Sequence, residues 1–178
     1  MSQAIGNFRR LIRNVPDFPK PGIVFRDITT LIRDAEALRH AVRLMADPFR
    51  NDGVDLVAGI ESRGFIFGAA VAIELGVGFV PIRKPGKLPA ATTSETYELE
   101  YGTDTLAIHT DAISPGQKVL MVDDLLATGG TMAAACRLVE RLGGEVTGIA
   151  FLIDLEFLKG RSKIGQYRTV ALVGYDAE

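Results

Sequence analysis

Cysteine is nearly missing from this chain. Cys136 stands alone, so no intrachain disulfide can form, and its place on a helix core face marks it as a small buried residue rather than a nucleophile. A surplus of cations is missing too: 20 Lys and Arg against 22 Asp and Glu give a net charge of -2. That excludes a nucleic-acid binder driven by a general basic surface, and any anion site has to be built locally. No apolar run reaches the length of a membrane span, and no charged, apolar leader opens the sequence. A soluble, cytoplasmic protein with neither membrane nor nucleic acid as partner is therefore expected. Repeats, low-complexity tracts and linker-like segments are also lacking. What remains is 178 residues with 47% hydrophobic content, enough for one domain, 1–178, with a sizeable core.

The apolar runs are short and alternate with helical patterns. Residues 1 to about 13 read as a short helix carrying Arg9, Arg10 and Arg13, after which Pro16, Pro19 and Pro21 force an extended connection. Together they make an N-terminal arm, 1–33. Leu38, Val42, Met45 and Phe49 mark a helix starting near an Asp34 N-cap, with His40 on its polar side. Asp55 to Ile60 is a buried strand, Arg63 to Leu75 a nearly all-apolar helix ended by Gly76, and Val77 to Ile82 another strand. Leu106 and Ile108 alternate with polar neighbours in a half-exposed strand, with His109 facing water. Val146 to Ile153 and Thr169 to Val173 supply further strands. The order strand, helix, strand predicts an α/β fold with a right-handed, parallel sheet, whose ligands sit beyond the strand carboxyl ends.

One stretch carries the most chemistry. Val119 to Thr131 reads VLMVDDLLATGGT: a buried strand, two carboxylates, then a loop opening a helix with Met132, Ala135, Cys136, Val139 and Leu142 on its inner face. Gly129 and Gly130 let the backbone approach a ligand. Successive N–H groups and the helix N-terminus then favour a phosphate over Ala127 to Thr131, with the Thr128 and Thr131 hydroxyls as further donors. Asp123 and Asp124 are wrong for phosphate, since two unit charges about 6 Å apart at an effective dielectric near 20 repel by roughly 2 to 3 kcal/mol. A sugar diol suits them, because each carboxylate accepts hydroxyl hydrogens in charge-assisted bonds of about 1.5 to 3 kcal/mol. A nearby magnesium ion would remove the remaining repulsion. Diol plus phosphate describes a ribose 5-phosphate. A Walker loop would need a lysine after Gly130, and a dinucleotide fingerprint would need GxGxxG after a strand; neither is present. The bland alternative is an ordinary strand-to-helix turn with an acidic N-cap.

VLMVDDLLATGGT resembles the phosphoribosyl diphosphate (PRPP) motif of the type I phosphoribosyltransferases, and its Leu-Leu-Ala-Thr-Gly-Gly-Thr version is similar to that of the family's adenine branch. The resemblance implies the family's fold: a mainly parallel twisted sheet flanked by helices, a small hood arm and a flexible flap over 90–102. It also implies transfer of phosphoribose from PRPP to adenine with magnesium carried by PRPP, touching Asp123 and Asp124 at most through water, and a homodimer.

The other motifs fit that frame. Backbone N–H groups of Ser62, Arg63 and Gly64, just after a strand, could hold a diphosphate, with Arg63 as a forked donor; a helix N-cap with a surface arginine is the alternative. The family places its diphosphate loop at Glu61 to Gly64, and by resemblance the Glu61–Ser62 peptide is cis. Position 61 varies between Glu and Asp in the family. Arg83, Lys84 and Lys87 supply local counter-charge for a diphosphate, or else form a solvated basic turn. By resemblance the Leu-Glu-Tyr-Gly tetrad makes Glu100 the proton-handling residue and Tyr101 a lid residue. Phe25 is either a core anchor or a purine platform, with backbone groups at Val24 and Arg26 reading the base edge. Leu155 is carried over from the family as the opposite wall, and Phe157 makes that region bulkier than the pattern predicts. The resemblance implies that Arg63, Asp123, Asp124 and Glu100 carry the catalysis. Two other readings use the same scaffold: a xanthine or hypoxanthine enzyme, and a PRPP-sensing regulator. Against the first stands the main-chain base edge, and against the second an arm too short for a winged helix.

Overall fold

Three prolines turn the first segment into a hairpin. The structure, a computed structural model, describes residues 8–98 and 102–177. Residues 8–11 are helical, but Arg13 already belongs to strand β1 (Arg13–Val15), which pairs antiparallel with β2 (Phe25–Asp27). The expected helix to residue 13 therefore stops earlier. The Phe18–Pro19 peptide is cis. Asp27 fastens the hairpin: it accepts from Arg13 Nε at 2.9 Å and from Thr29 N at 2.9 Å. The Thr29 N–H and the Arg13 guanidinium lower its pKa to about 2.

Helix α1 (Thr29–Ile32) leads into α2 (Ala35–Ala46), whose N-cap Asp34 accepts from Glu36 N and Ala37 N as its sequence position predicts. Phe49 is fully buried but lies on a separate 3-10 turn, Asp47–Phe49, because Pro48 cannot continue the helix ladder. His40 is exposed and its ring stands 5.6 Å from Phe8.

The main sheet comes next. It contains β3 (Leu56–Ile60), then, after α3 (Gly64–Leu75), β4 (Gly78–Ile82). A hairpin, β5 (Thr92–Glu98) with β6 (Thr103–His109), precedes β7 (Lys118–Leu126), α4 (Gly130–Arg141), β8 (Glu145–Leu155) and β9 (Thr169–Tyr175). Five strands pair in parallel in the order β4-β3-β7-β8-β9. Residues along each strand alternate between two cores. Val57, Leu120, Val122, Ala150 and Leu152 face the side of α2 and α3, while Val119, Met121, Ile149 and Phe151 face α4. Both faces are therefore covered, which explains why these strands read as continuous apolar runs. Cys136 lies in the second core, and burial pushes its thiol up to about 12. No described helix is long and apolar enough to cross a membrane.

The hairpin docks on the sheet instead of standing half in water. Arg83 and Ala107 exchange backbone bonds of 2.9 and 2.7 Å, so Leu106, Ala107 and Ile108 are all buried. His109, at the end of β6, is half-buried and accepts the Ala90 N–H at Nε2 (3.3 Å) in a bond at the surface. From the other side α4 holds the hairpin: Arg137 Nε donates to Glu95 at 2.6 Å, and Arg141 donates to Ser94 O at 2.7 Å.

Candidate active site

The strand that carries the carboxylates is longer than its apolar run. β7 continues through Asp123, Asp124 and Leu125 to Leu126 because β8 stays in register beside it, pairing Asp123 with Phe151 and Leu126 with Asp154. The acidic pair thus sits on rigid sheet, not in a loop. Its surroundings form a cavity of about 240 Å³ at the carboxyl ends of β3 and β7. Glu61, Ser62, Arg63, Asp123, Asp124, Ala127, Thr128, Gly129 and Thr131 line it. Ile60, Leu125, Leu126, Met132 and Phe151, to which the sequence assigns no ligand role, complete the wall. Gly64 and Gly130 are the first residues of α3 and α4.

Both carboxyls are held up in pKa. Burial pushes Asp123 well above its ordinary value, and the neighbouring Asp124 charge adds to it. Burial also raises Asp124, opposed by the Arg63 guanidinium. Asp123 Oδ1 accepts the Asp124 N–H at 2.9 Å. Asp124 Oδ2 lies 3.0 Å from Arg63 Nη2, yet the pair lacks hydrogen-bond geometry and this buried oxygen has no hydrogen-bond partner among the described residues. A buried acceptor without a donor is costly unless a ligand supplies one.

The phosphate-type loop owes its shape to a distant turn. Gly129 has φ 80°, and a Cβ there would stand 2.3 Å from Gly160 O; one on Gly160 would stand 2.1 Å from Ala127 O. Only two glycines allow this approach. Gly64 is also closely faced, since a Cβ would come within 2.6 Å of the Asp123 side-chain Oδ1 and 3.2 Å of Val122 O. The Thr131 hydroxyl bonds Tyr97 Oη at 3.1 Å, and Tyr97 Oη donates to Asp104 Oδ2 at 3.3 Å.

Val24, Phe25, Arg26, Arg83, Lys84, Lys87 and Leu155 are not in the wall of this cavity, but several are tied to residues that are. The Glu61–Ser62 peptide is cis. Glu61 Oε2 accepts from Arg83 Nε at 2.6 Å, and Arg83 Nη1 donates to Lys87 O at 3.0 Å. Lys84 is ion-paired with Asp104, while Lys87 is exposed. Phe25 is half-buried beneath Arg63, whose guanidinium carbon stands 5.1 Å from the ring centroid. Val24 and Arg26 flank it, and Leu155 ends β8, followed by a 3-10 turn that carries Phe157. Glu100 and Tyr101 lie outside the described residues.

A parallel α/β sheet with a carboxylate pair and a helix N-terminus meeting in one cavity is an arrangement suited to a sugar phosphate. The family model described as "Phosphoribosyl transferase domain" matches residues 29–173, so the chain belongs to the phosphoribosyl transferase family. Its relatives within that family include the adenine phosphoribosyltransferase of Desulfitobacterium hafniense, 56% identical over 95% of this chain and 98% of that one. The adenine phosphoribosyltransferase of Clostridium perfringens is 59% identical over 93% and 96%. The crystal structure of the Thermoanaerobacter pseudethanolicus adenine phosphoribosyltransferase superposes with a TM-score of 0.93 at 53% identity, covering 96% of this chain and 99% of that one. The Saccharomyces cerevisiae enzyme, complexed with an imino-altritol bisphosphate and adenine, gives a TM-score of 0.90 at 40% identity over 97% and 99%.

Proposed function

We propose that this protein transfers the 5-phosphoribosyl group of PRPP to adenine, releasing AMP and diphosphate in a purine-salvage reaction. The observation that carries the reading is the meeting in one cavity of Asp123 and Asp124 with Ala127, Thr128, Gly129 and Thr131, a carboxylate pair suited to a diol beside a loop suited to a phosphate. The names of its relatives supply the base.

In this reading Asp123 and Asp124 hold the ribose diol, and Ala127 to Thr131 grip the 5'-phosphate. The Asp124 oxygen without a partner accepts a sugar hydroxyl. Ser62, Arg63 and Gly64 receive the diphosphate, with Arg83, Lys84 and Lys87 as neighbouring cations. The sugar–diphosphate bond breaks through an oxocarbenium-like state while the new bond to the purine nitrogen forms, so the residues act by positioning and charge stabilisation. The bond's electron pair leaves with diphosphate, and the proton from the purine nitrogen goes to Glu100. Phe25 and Leu155 flank the base, and backbone groups at Val24 and Arg26 read its edge. The flap, with Tyr101, excludes water that would otherwise hydrolyse the activated sugar.

Magnesium fits as a cargo of the substrate. In this reading the ion takes most of its oxygens from PRPP and water, and the Asp123 and Asp124 carboxylates of the cavity face it. When bound, it screens the diphosphate charge. A homodimer is part of the proposal; exposed Ile66 and Ile73 on α3 support a partner surface. So is a cytoplasmic location, supported by the low cysteine content.

Incubating the purified protein with PRPP, magnesium and adenine tests the reading. AMP and diphosphate should appear in equal amounts; release of diphosphate without AMP would instead mean hydrolysis of PRPP.

A further inference from the structure

The two walls of the proposed base slot belong to separate sheets. Phe25 sits on the β1–β2 hairpin, which forms a sheet of its own, whereas Leu155 ends β8 in the main sheet. Among the described residues no backbone ladder joins the two sheets, so side chains have to fix the gap between these walls.

Tyr175 is placed to do so. In the parallel register of β8 and β9 it is the partner of Leu155. From the arm, the guanidinium carbon of Arg26, the residue after Phe25, stands 4.1 Å from the Tyr175 ring centroid, and that of Arg9 stands 4.8 Å away. Arg9 also donates to the carbonyl of Gly174. Arg26 is only 6% exposed and Tyr175 only 7%. Among the described residues no carboxylate pairs with Arg26. Its charge is answered by the ring, by Asn14 Oδ1 at 2.6 Å and by Ala177 O at 3.3 Å. A buried cation so placed holds tightly to the groups that replace water, and a ring face within 6 Å is one of them. The Tyr175 hydroxyl, by contrast, is buried without a hydrogen-bond partner. The ring, not the hydroxyl, makes the connection.

We propose that Tyr175 is a positioning residue for the base: it ties the arm that carries Phe25 to the strand that carries Leu155 and so sets the width of the slot. This rests on the adenine-transferase reading above. It predicts a role confined to one substrate, because the PRPP cavity is lined from β3, β7, α4 and Phe151 of β8, and no residue of β9 is in its wall.

The test is steady-state kinetics with each substrate varied in turn. Tyr175→Phe should match the parent. Tyr175→Leu should raise the KM for adenine about tenfold, while the KM for PRPP moves less than about twofold. Arg9→Ala, a change at an exposed side chain that leaves the core intact, should raise the adenine KM about threefold by the same reasoning. Unchanged adenine KM in both variants, or equal rises for both substrates, would overturn the inference. If Tyr175→Leu does not fold, Arg9→Ala decides alone. A parent protein inactive with adenine would sink the functional reading and this inference with it; an active parent whose variants behave like it would sink only the inference.

Discussion

Arg63 stands between the two halves of the site: its Nη2 lies 3.0 Å from Asp124 Oδ2, and its guanidinium lies over the Phe25 ring at 5.1 Å. One side chain thus touches both the carboxylate assigned to the sugar and the platform assigned to the base. Arg63→Gln is expected to raise the KM for PRPP about tenfold or more, the loss of a charge-assisted contact. Arg63→Lys should recover only part of it, because an ammonium cannot lie flat on Phe25 and fork toward anions at once. Arg63 also opposes the upward shift of Asp124. The acidic limb of the activity profile should therefore move to higher pH in Arg63→Gln. A profile and KM like those of the parent would show that Arg63 is a surface residue.

Asp123 trades stability for function. In the unfolded chain its carboxyl titrates near the ordinary 3.8; in the folded protein burial lifts it well above that. Between those two values the folded state binds the extra proton, so this group's contribution to stability falls as pH rises through that window. Asp123→Asn keeps an Oδ1 acceptor for the Asp124 N–H and removes the charge. Its Tm at neutral pH should exceed that of the parent, while turnover falls about 10- to 100-fold as a charged bond to the sugar is lost. A lower Tm at neutral pH would mean that the carboxylate is structural.

Asp27 titrates in the opposite sense. The Thr29 N–H and Arg13 hold it at about 2, so its contribution is full above the ordinary 3.8 and is lost as pH falls through about 2. Acid should therefore loosen the arm before it loosens the sheet. Hydrogen exchange at low pH checks this, with earlier loss of protection expected in residues 13–29 than in β7 and β8.

Gly129 and Gly160 make a testable pair. Alanine at either position sets a Cβ within 2.3 Å of the opposing backbone, a clash that no side-chain rotation relieves. Each substitution is expected to cost about 1 to 3 kcal/mol or more in stability and to weaken AMP binding measured by calorimetry. Unaltered AMP affinity in Gly160→Ala would show that the turn at 160 does not shape the phosphate loop.

Much of this was legible in the chain itself, for physical reasons. Buried parallel strands read as apolar runs, and Gly76 and Asp34 marked helix ends because backbone geometry and orphan N–H groups demand such residues. The 119–131 stretch declared its chemistry because its glycines, carboxylates and strand are neighbours in sequence. Contacts between distant segments were not legible. The extension of β7 through the aspartates depends on β8 beside it, the loop shape depends on Gly160, and the pairing of Arg83 with Glu61 depends on β3 meeting β4. The strand around Leu106 misled because the edge it covers belongs to Arg83.

The central claim, that the cavity joins phosphoribose to adenine in preference to other bases, is tested most directly by competition. Equimolar adenine, hypoxanthine, xanthine and orotate should be offered together with limiting PRPP and magnesium, and the nucleotide products separated. AMP is expected to account for nearly all of the nucleotide formed. A different nucleotide in excess, or none at all from active-site-competent, folded protein, would contradict the account.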